Sequence, residues 1–208
     1  MEYQTIAERL NTRSWTIDLL DFSYFTKLTT EQWRYSKAAI PRYLKTLGDT
    51  NYAGYMKTHG PVEKAGEHVA KSFLDYHCGD TADICTRLYP YSNDCDSPYE
   101  PSFRANGQGI GISTRMVRPI SPHQPTAINV VKFRLMIPDI QEKILPKAYI
   151  FCGFNVKTLE GYCLGWLTSD EVMSVTPVER PNSTYKLRSF VLQTLHTMHT
   201  FRKYITSL

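Results

Sequence analysis

The sequence predicts an α/β domain in which a mixed central β-sheet is flanked by helices. Three observations carry that prediction. Ile110–Thr114, Ala148–Phe154 and Gly161–Leu167 are short runs rich in β-branched and aromatic residues, each bounded by glycine or turn formers, as strands are. Between Pro61 and Tyr76, Val62, Gly66, Val69, Phe73 and Tyr76 recur at helical spacing and make one apolar stripe. The chain has 208 residues, 42% hydrophobic and 21% charged, enough for one well-packed domain of ordinary composition. Residues 1–208 are therefore expected to form one unit: a helical N-terminal layer (1–59), a core (60–171) and a C-terminal helix (172–208).

In chain order, Ile6–Leu10 and Trp15–Phe25 have helical length. Thr29 or Thr30 can cap a helix from about Glu31 to Gly48, with Pro41 kinking or restarting it. The next helix is expected to open at Gly60-Pro61, since proline suits a first helical turn. Its Glu63, Glu67 and Lys71 form an i, i+4 ladder, ordinarily a solvated face. From Cys78 to Asn106 the sequence is rich in turn formers, and Asn106-Gly107 signals a tight hairpin into the Ile110 strand. Asn129–Leu135 reads as a strand or an edge segment, and Asp139–Leu145 as one helical turn. The near-continuous apolar run of Ala148–Phe154 implies burial on both faces. Thr168-Ser169-Asp170-Glu171 reads as a helix cap. The tail from Tyr185 reads as a helix with Leu187, Val191, Leu195, Met198, Phe201 and Ile205 on one side.

Composition narrows the function classes. A formal charge of +4 and a pI near 8.7 permit nucleic-acid binding without demanding it. No apolar run approaches the roughly 20 residues that span a bilayer. The opening Met1-Glu2-Tyr3-Gln4 has neither a basic nor an apolar leader region, so a cytoplasmic protein without a membrane partner is expected. The five cysteines, Cys78, Cys85, Cys95, Cys152 and Cys163, are expected as thiols, and no pair has zinc-knuckle spacing. The phosphate-loop, serine-hydrolase elbow and zinc-protease signatures are absent.

The order of these phrases from Pro61 to Glu171 resembles the core of the PD-(D/E)XK, or restriction-endonuclease-like, nucleases. In that family a strand like Ile110–Thr114 carries an acid, a spacer and a lysine on one face. Here the two positions hold Gly111 and Ser113. The resemblance implies carboxylates that hold Mg2+ or Mn2+ against a scissile phosphate, with a lysine beside the attacking water. Gly66-Glu67-His68-Val69-Ala70 is similar to the helix that supplies the family's glutamate, which makes Glu67 a metal ligand. Asp96, with Asp94 and Glu100 close by, corresponds to its first core aspartate. Lys132 or Lys147 would replace the missing lysine. Arg104, Arg115, Arg118, Lys132 and Arg134, at or beside strand ends, would form one phosphate-contacting surface.

The resulting expectation is a nuclease-like protein that binds nucleic acid, DNA foremost, with weak or lost cleavage because Gly111 offers no ligand and Ser113 no charge. Two alternatives stand beside it. One is an active Mg-dependent endonuclease with a migrated lysine. The other is a non-enzymatic interaction protein of phage or viral kind, acting in an infected cell. A homodimer or a protein partner fits any of the three.

Overall fold

The computed structural model describes residues 3–10, 15–47, 51–78, 103–105, 108–139, 146–179 and 186–207. Its elements are α1 (Ile6–Leu10), β1 (Thr16–Asp18), β2 (Tyr24–Lys27), α2 (Thr30–Leu47), α3 (Asn51–Cys78), β3 (Phe103–Ala105), β4 (Gln108–Met116), β5 (Ala127–Asn129), β6 (Arg134–Pro138), β7 (Ala148–Asn155), β8 (Glu160–Thr168), α4 (Ser169–Ser174), β9 (Leu187–Val191) and α5 (Met198–Thr206). The mixed α/β class is as expected. Five strands form the central sheet in the order β2-β8-β7-β4-β3. Among the described residues, only β4 and β7 run parallel, with Ile110 opposite Ala148 and Arg115 opposite Gly153. The other neighbours are antiparallel.

Both faces of this sheet are covered, which explains why every residue of β7 is buried. On one face Val62, Val69, Phe73 and Leu74 of α3 and Phe201 and Ile205 of α5 pack on Ile110, Ile112, Ile150 and Trp166. The other face is covered by two small sheets, β1-β5 and β6-β9, joined by Ile6 of α1 and Val172 of α4. Ile17, Ile128, Leu135 and Phe190 there meet Tyr149, Phe151, Tyr162 and Leu164. α2 crosses α3 and closes a small third cluster of Ile40, Tyr43, Ala53 and Met56.

Several elements differ from expectation for identifiable reasons. Trp15–Phe25 is not helical: it holds β1, a 3₁₀ turn at Leu19–Asp21 and most of β2. Asp18 caps that turn by accepting from the Leu20 N–H at 2.9 Å, and β-rich Tyr24-Phe25-Thr26 finds a partner in β8. α3 begins at Asn51, nine residues before the expected Gly60-Pro61 start, and Pro61 lies inside it. The added turns are retained because Ala53 and Met56 pack on Ile40 and Tyr43 of α2. Pro41 likewise lies within a continuous α2. Thr29 is the cap of that helix: its hydroxyl accepts from the Gln32 N–H at 3.1 Å, and the Gln32 side chain accepts from the Thr29 N–H at 2.8 Å.

Asn129–Leu135 is divided between β5 and β6. The Asn129 side-chain oxygen accepts from the N–H groups of Val131 and Lys132 at 3.1 and 3.2 Å and turns the chain. The tail is a helix only from Met198. Before it, Leu187–Val191 pairs with β6 as a strand, so the apparent helical repeat of Leu187 and Val191 belongs to a different element. The cap at Thr168 is formed as expected, with Glu171 reciprocating. Residues 48, 79–102, 106–107 and 140–145, which held the expected Gly48 stop, the turn-rich stretch, the Asn106-Gly107 turn and most of the short helix, lie outside the described residues. β3 nevertheless pairs with β4 in the hairpin register Ala105 to Gln108.

Candidate functional site

The site begins where α3 approaches the far end of β4. Gly66 permits that approach: a Cβ there would overlap the Thr114 hydroxyl. One turn earlier, Glu63 turns toward the strand. Its carboxylate accepts from the Tyr55 hydroxyl at 2.6 Å and from the Thr114 backbone N–H at 2.8 Å. The side chain keeps some accessible surface, but both oxygens are engaged and the group is enclosed. Burial pushes its pKa up to about 7, although the Tyr55 and Thr114 hydrogen bonds and nearby Arg115 pull the other way.

Beside this junction opens a cleft of about 510 Å³. One wall is the first half of α3, with Tyr55, His59 and Val62. The floor is the end of β4 and the segment after it, with Arg115 and Arg118. β5 and the turn after it also line the cleft, with Asn129, Lys132 and Phe133. Among the described residues, its lining thus carries three permanent cations and no carboxylate. Burial, then Arg115, lowers the pKa of His59.

The expected site residues fall into separate groups. Arg115, Arg118 and Lys132 share the cleft. Arg134, at the start of β6, is half-exposed and does not line it. Lys147 is exposed at the opposite end of the β4–β7 pair, where its N–H donates to Gly109 at 2.7 Å. At about 3.3 Å per residue it lies roughly 20 Å along β7 from the level of Arg115. Glu67 is held by Lys64, whose ammonium meets both carboxylate oxygens at 3.0 and 3.2 Å and sits 5.6 Å from the centre of the Tyr43 ring. The backbone of Arg104 is in β3, while its side chain, like Asp94, Asp96 and Glu100, lies outside the described residues.

Gly111 and Ser113 occupy the face of β4 turned away from α3. A Cβ at Gly111 would come within 2.7 Å of the Tyr149 ring. The Ser113 hydroxyl donates to the Met136 carbonyl of β6 at 2.8 Å. Among the described residues, no three His, Cys, Asp or Glu side chains gather where a hard cation could sit. Each Glu63 oxygen accepts one hydrogen bond and Glu67 is paired with Lys64.

Sequence reasoning passed over Glu63, counting it in a solvated ladder, and did not anticipate Tyr55 or His59. The available signal was Gly66: a glycine on the apolar stripe of a helix marks a close approach, and Glu63 lies one turn before it. Comparison of the chain with protein-family models, with curated proteins and with solved structures gives no match.

Proposed function

We propose that this chain is a nucleic-acid-binding protein of restriction-endonuclease-like kind whose phosphodiester cleavage is weak or lost. The observation that carries the reading is the cleft itself, with Arg115, Arg118 and Lys132 on it and no carboxylate among the described residues of its lining. Concave surfaces of one sign concentrate an oppositely charged ligand, and a polyphosphate backbone releases counterions on meeting them. Two arginines supply planar, multidentate donors suited to phosphate oxygens. The loss of cleavage follows from Gly111 and Ser113, which bring neither ligand nor charge and whose face of β4 is filled by Tyr149 and β6.

DNA in the cytoplasm is the partner this reading favours. No helix among the described residues is long and apolar enough to cross a membrane. The test is a salt titration of binding to a fluorescein-labelled DNA duplex and its single strands. Wild-type affinity should fall steeply with salt, and Arg115→Glu with Arg118→Glu should weaken binding and flatten the slope by about 2 for the duplex. No wild-type binding at low ionic strength, or an unaltered slope in the double variant, overturns the proposal.

A further inference from the structure

Cations are only half of the cleft. Tyr55 and His59, one turn apart on α3, have ring centroids 4.7 Å apart with their planes tilted by 38°, and both line the cleft. The half-exposed Ile120 and the largely buried Phe133 add apolar surface elsewhere in the lining. Trp15, just before β1, is 70% exposed. Its carbonyl accepts from the Val130 N–H at 3.0 Å, which ties it to the residue after cleft-lining Asn129.

A duplex turns its bases inward and presents a phosphate surface, so it would leave such aromatic faces unused. A groove of cations with aromatic faces beside it is instead the arrangement that holds unpaired strands, because every base has a π-face to stack. Size points the same way. A cleft of about 510 Å³ lies in the range of roughly 300–1,000 Å³ that encloses a small ligand, which suits a single nucleotide.

Resting on the nucleic-acid reading above, we infer that the cleft takes an unpaired nucleotide of a single strand. Its base lies against the Tyr55–His59 wall, its phosphates on Arg115, Arg118 and Lys132, and the neighbouring base on the Trp15 indole. No bond is made or broken in this step.

Fluorescence anisotropy with three labelled twelve-mers tests it: a single strand, its blunt duplex and an abasic strand with the same phosphates, in DNA and RNA form. At fixed salt the single strand should bind on the order of ten-fold more tightly than the other two. It should also quench tryptophan emission, since Trp15 is far more exposed than the partly buried Trp33 and the fully buried Trp166. Trp15→Ala should abolish most of the quench. Trp15→Ala and His59→Ala should each cost the single strand on the order of ten-fold while leaving the abasic strand unchanged. Equal wild-type affinity for all three probes overturns this inference and leaves the phosphate-binding proposal standing, and that comparison needs no variant to fold. Variants that weaken all three probes alike also overturn it. Absence of binding to any probe at low salt overturns both.

Discussion

The Glu63 carboxylate accepts the backbone N–H of Thr114 at 2.8 Å, across 51 residues of chain. This contact fixes α3 against the last part of β4 and so sets one corner of the cleft. It also gives the fold a proton-sensitive group. The folded pKa of about 7 lies above the ordinary 4.5, so the folded protein keeps a proton that the unfolded chain releases. The associated stability is full below pH 4.5 and is lost as pH rises through 7.

His68 carries the opposite sensitivity. Burial first, then Lys64 and Lys71, lowers its pKa from 6.5 to about 4. Its stability is full above pH 6.5 and is lost as pH falls toward 4. Each effect amounts to about 3 kcal/mol at most, and the two oppose each other between about pH 4.5 and 6.5. Urea unfolding of the wild type should therefore vary little with pH in that window from these two groups. Glu63→Gln, which retains an acceptor for Thr114, should expose the acid-side loss due to His68 and gain stability at about pH 8, above the Glu63 transition. A Glu63→Gln profile parallel to the wild type would refute the assignment.

Restoring an acid and a lysine, Gly111→Glu with Ser113→Lys, should damage the fold rather than recover a metal site. A carboxylate introduced at Gly111 would be driven against the Tyr149 ring, and a lysine in place of Ser113 would remove the hydrogen bond to Met136. An uncompensated buried charge costs roughly 3–5 kcal/mol. The double variant should melt well below the wild type or be insoluble, whereas Ser113→Ala should cost only about 1 kcal/mol. A stable double variant that gains Mg2+ affinity by calorimetry would mean that this face is open.

Any residual cleavage should depend on Lys132 and not on Lys147. Lys132 lines the cleft, and Lys147 stands at the other end of the parallel strand pair. An assay on single- and double-stranded DNA and on RNA, with Mg2+ and with Mn2+, should show little turnover. Lys132→Ala should abolish what remains and Lys147→Ala should leave it intact. Vigorous metal-dependent cleavage lost on Glu67→Ala would overturn the weak-cleavage proposal.

Gly66 should be among the least substitutable positions on α3. A methyl group there meets the Thr114 side chain, and overpacking of this kind typically costs about 1–3 kcal/mol. Gly66→Ala should lower the urea midpoint, and Thr114→Ala in the same chain should recover part of the loss. Strict additivity of the two changes would show that the residues do not touch.

Much of the core was legible because its signals are long. β7 and β8 are strands of eight and nine residues, buried almost throughout, and the stripe of α3 extends over several turns. β2 escaped notice because four residues, alternately half-buried and exposed, are too few for a period-two pattern to stand out. The tail misled because Leu187, Val191 and Leu195 fit a helical repeat by accident, while β6 supplied a strand partner that local sequence does not contain. The cationic residues of the cleft could be named from their positions near strand ends, but not their grouping. Whether Lys132 or Lys147 joins Arg115 depends on the parallel register of β4 and β7. Glu63 was hidden because an i, i+4 ladder looks the same whether it faces water or a neighbouring strand.

The pairing of β2 with β8 has a consequence for how the chain is made. Tyr24–Lys27 leaves the ribosome well over a hundred residues ahead of Glu160–Cys163, its strand partner among the described residues. At about 5–20 residues per second, the early segment waits many seconds with its backbone groups unmatched. A nascent chain arrested before Glu160 thus presents an orphaned edge, and chaperone occupancy during synthesis should concentrate on that interval and end once β8 emerges.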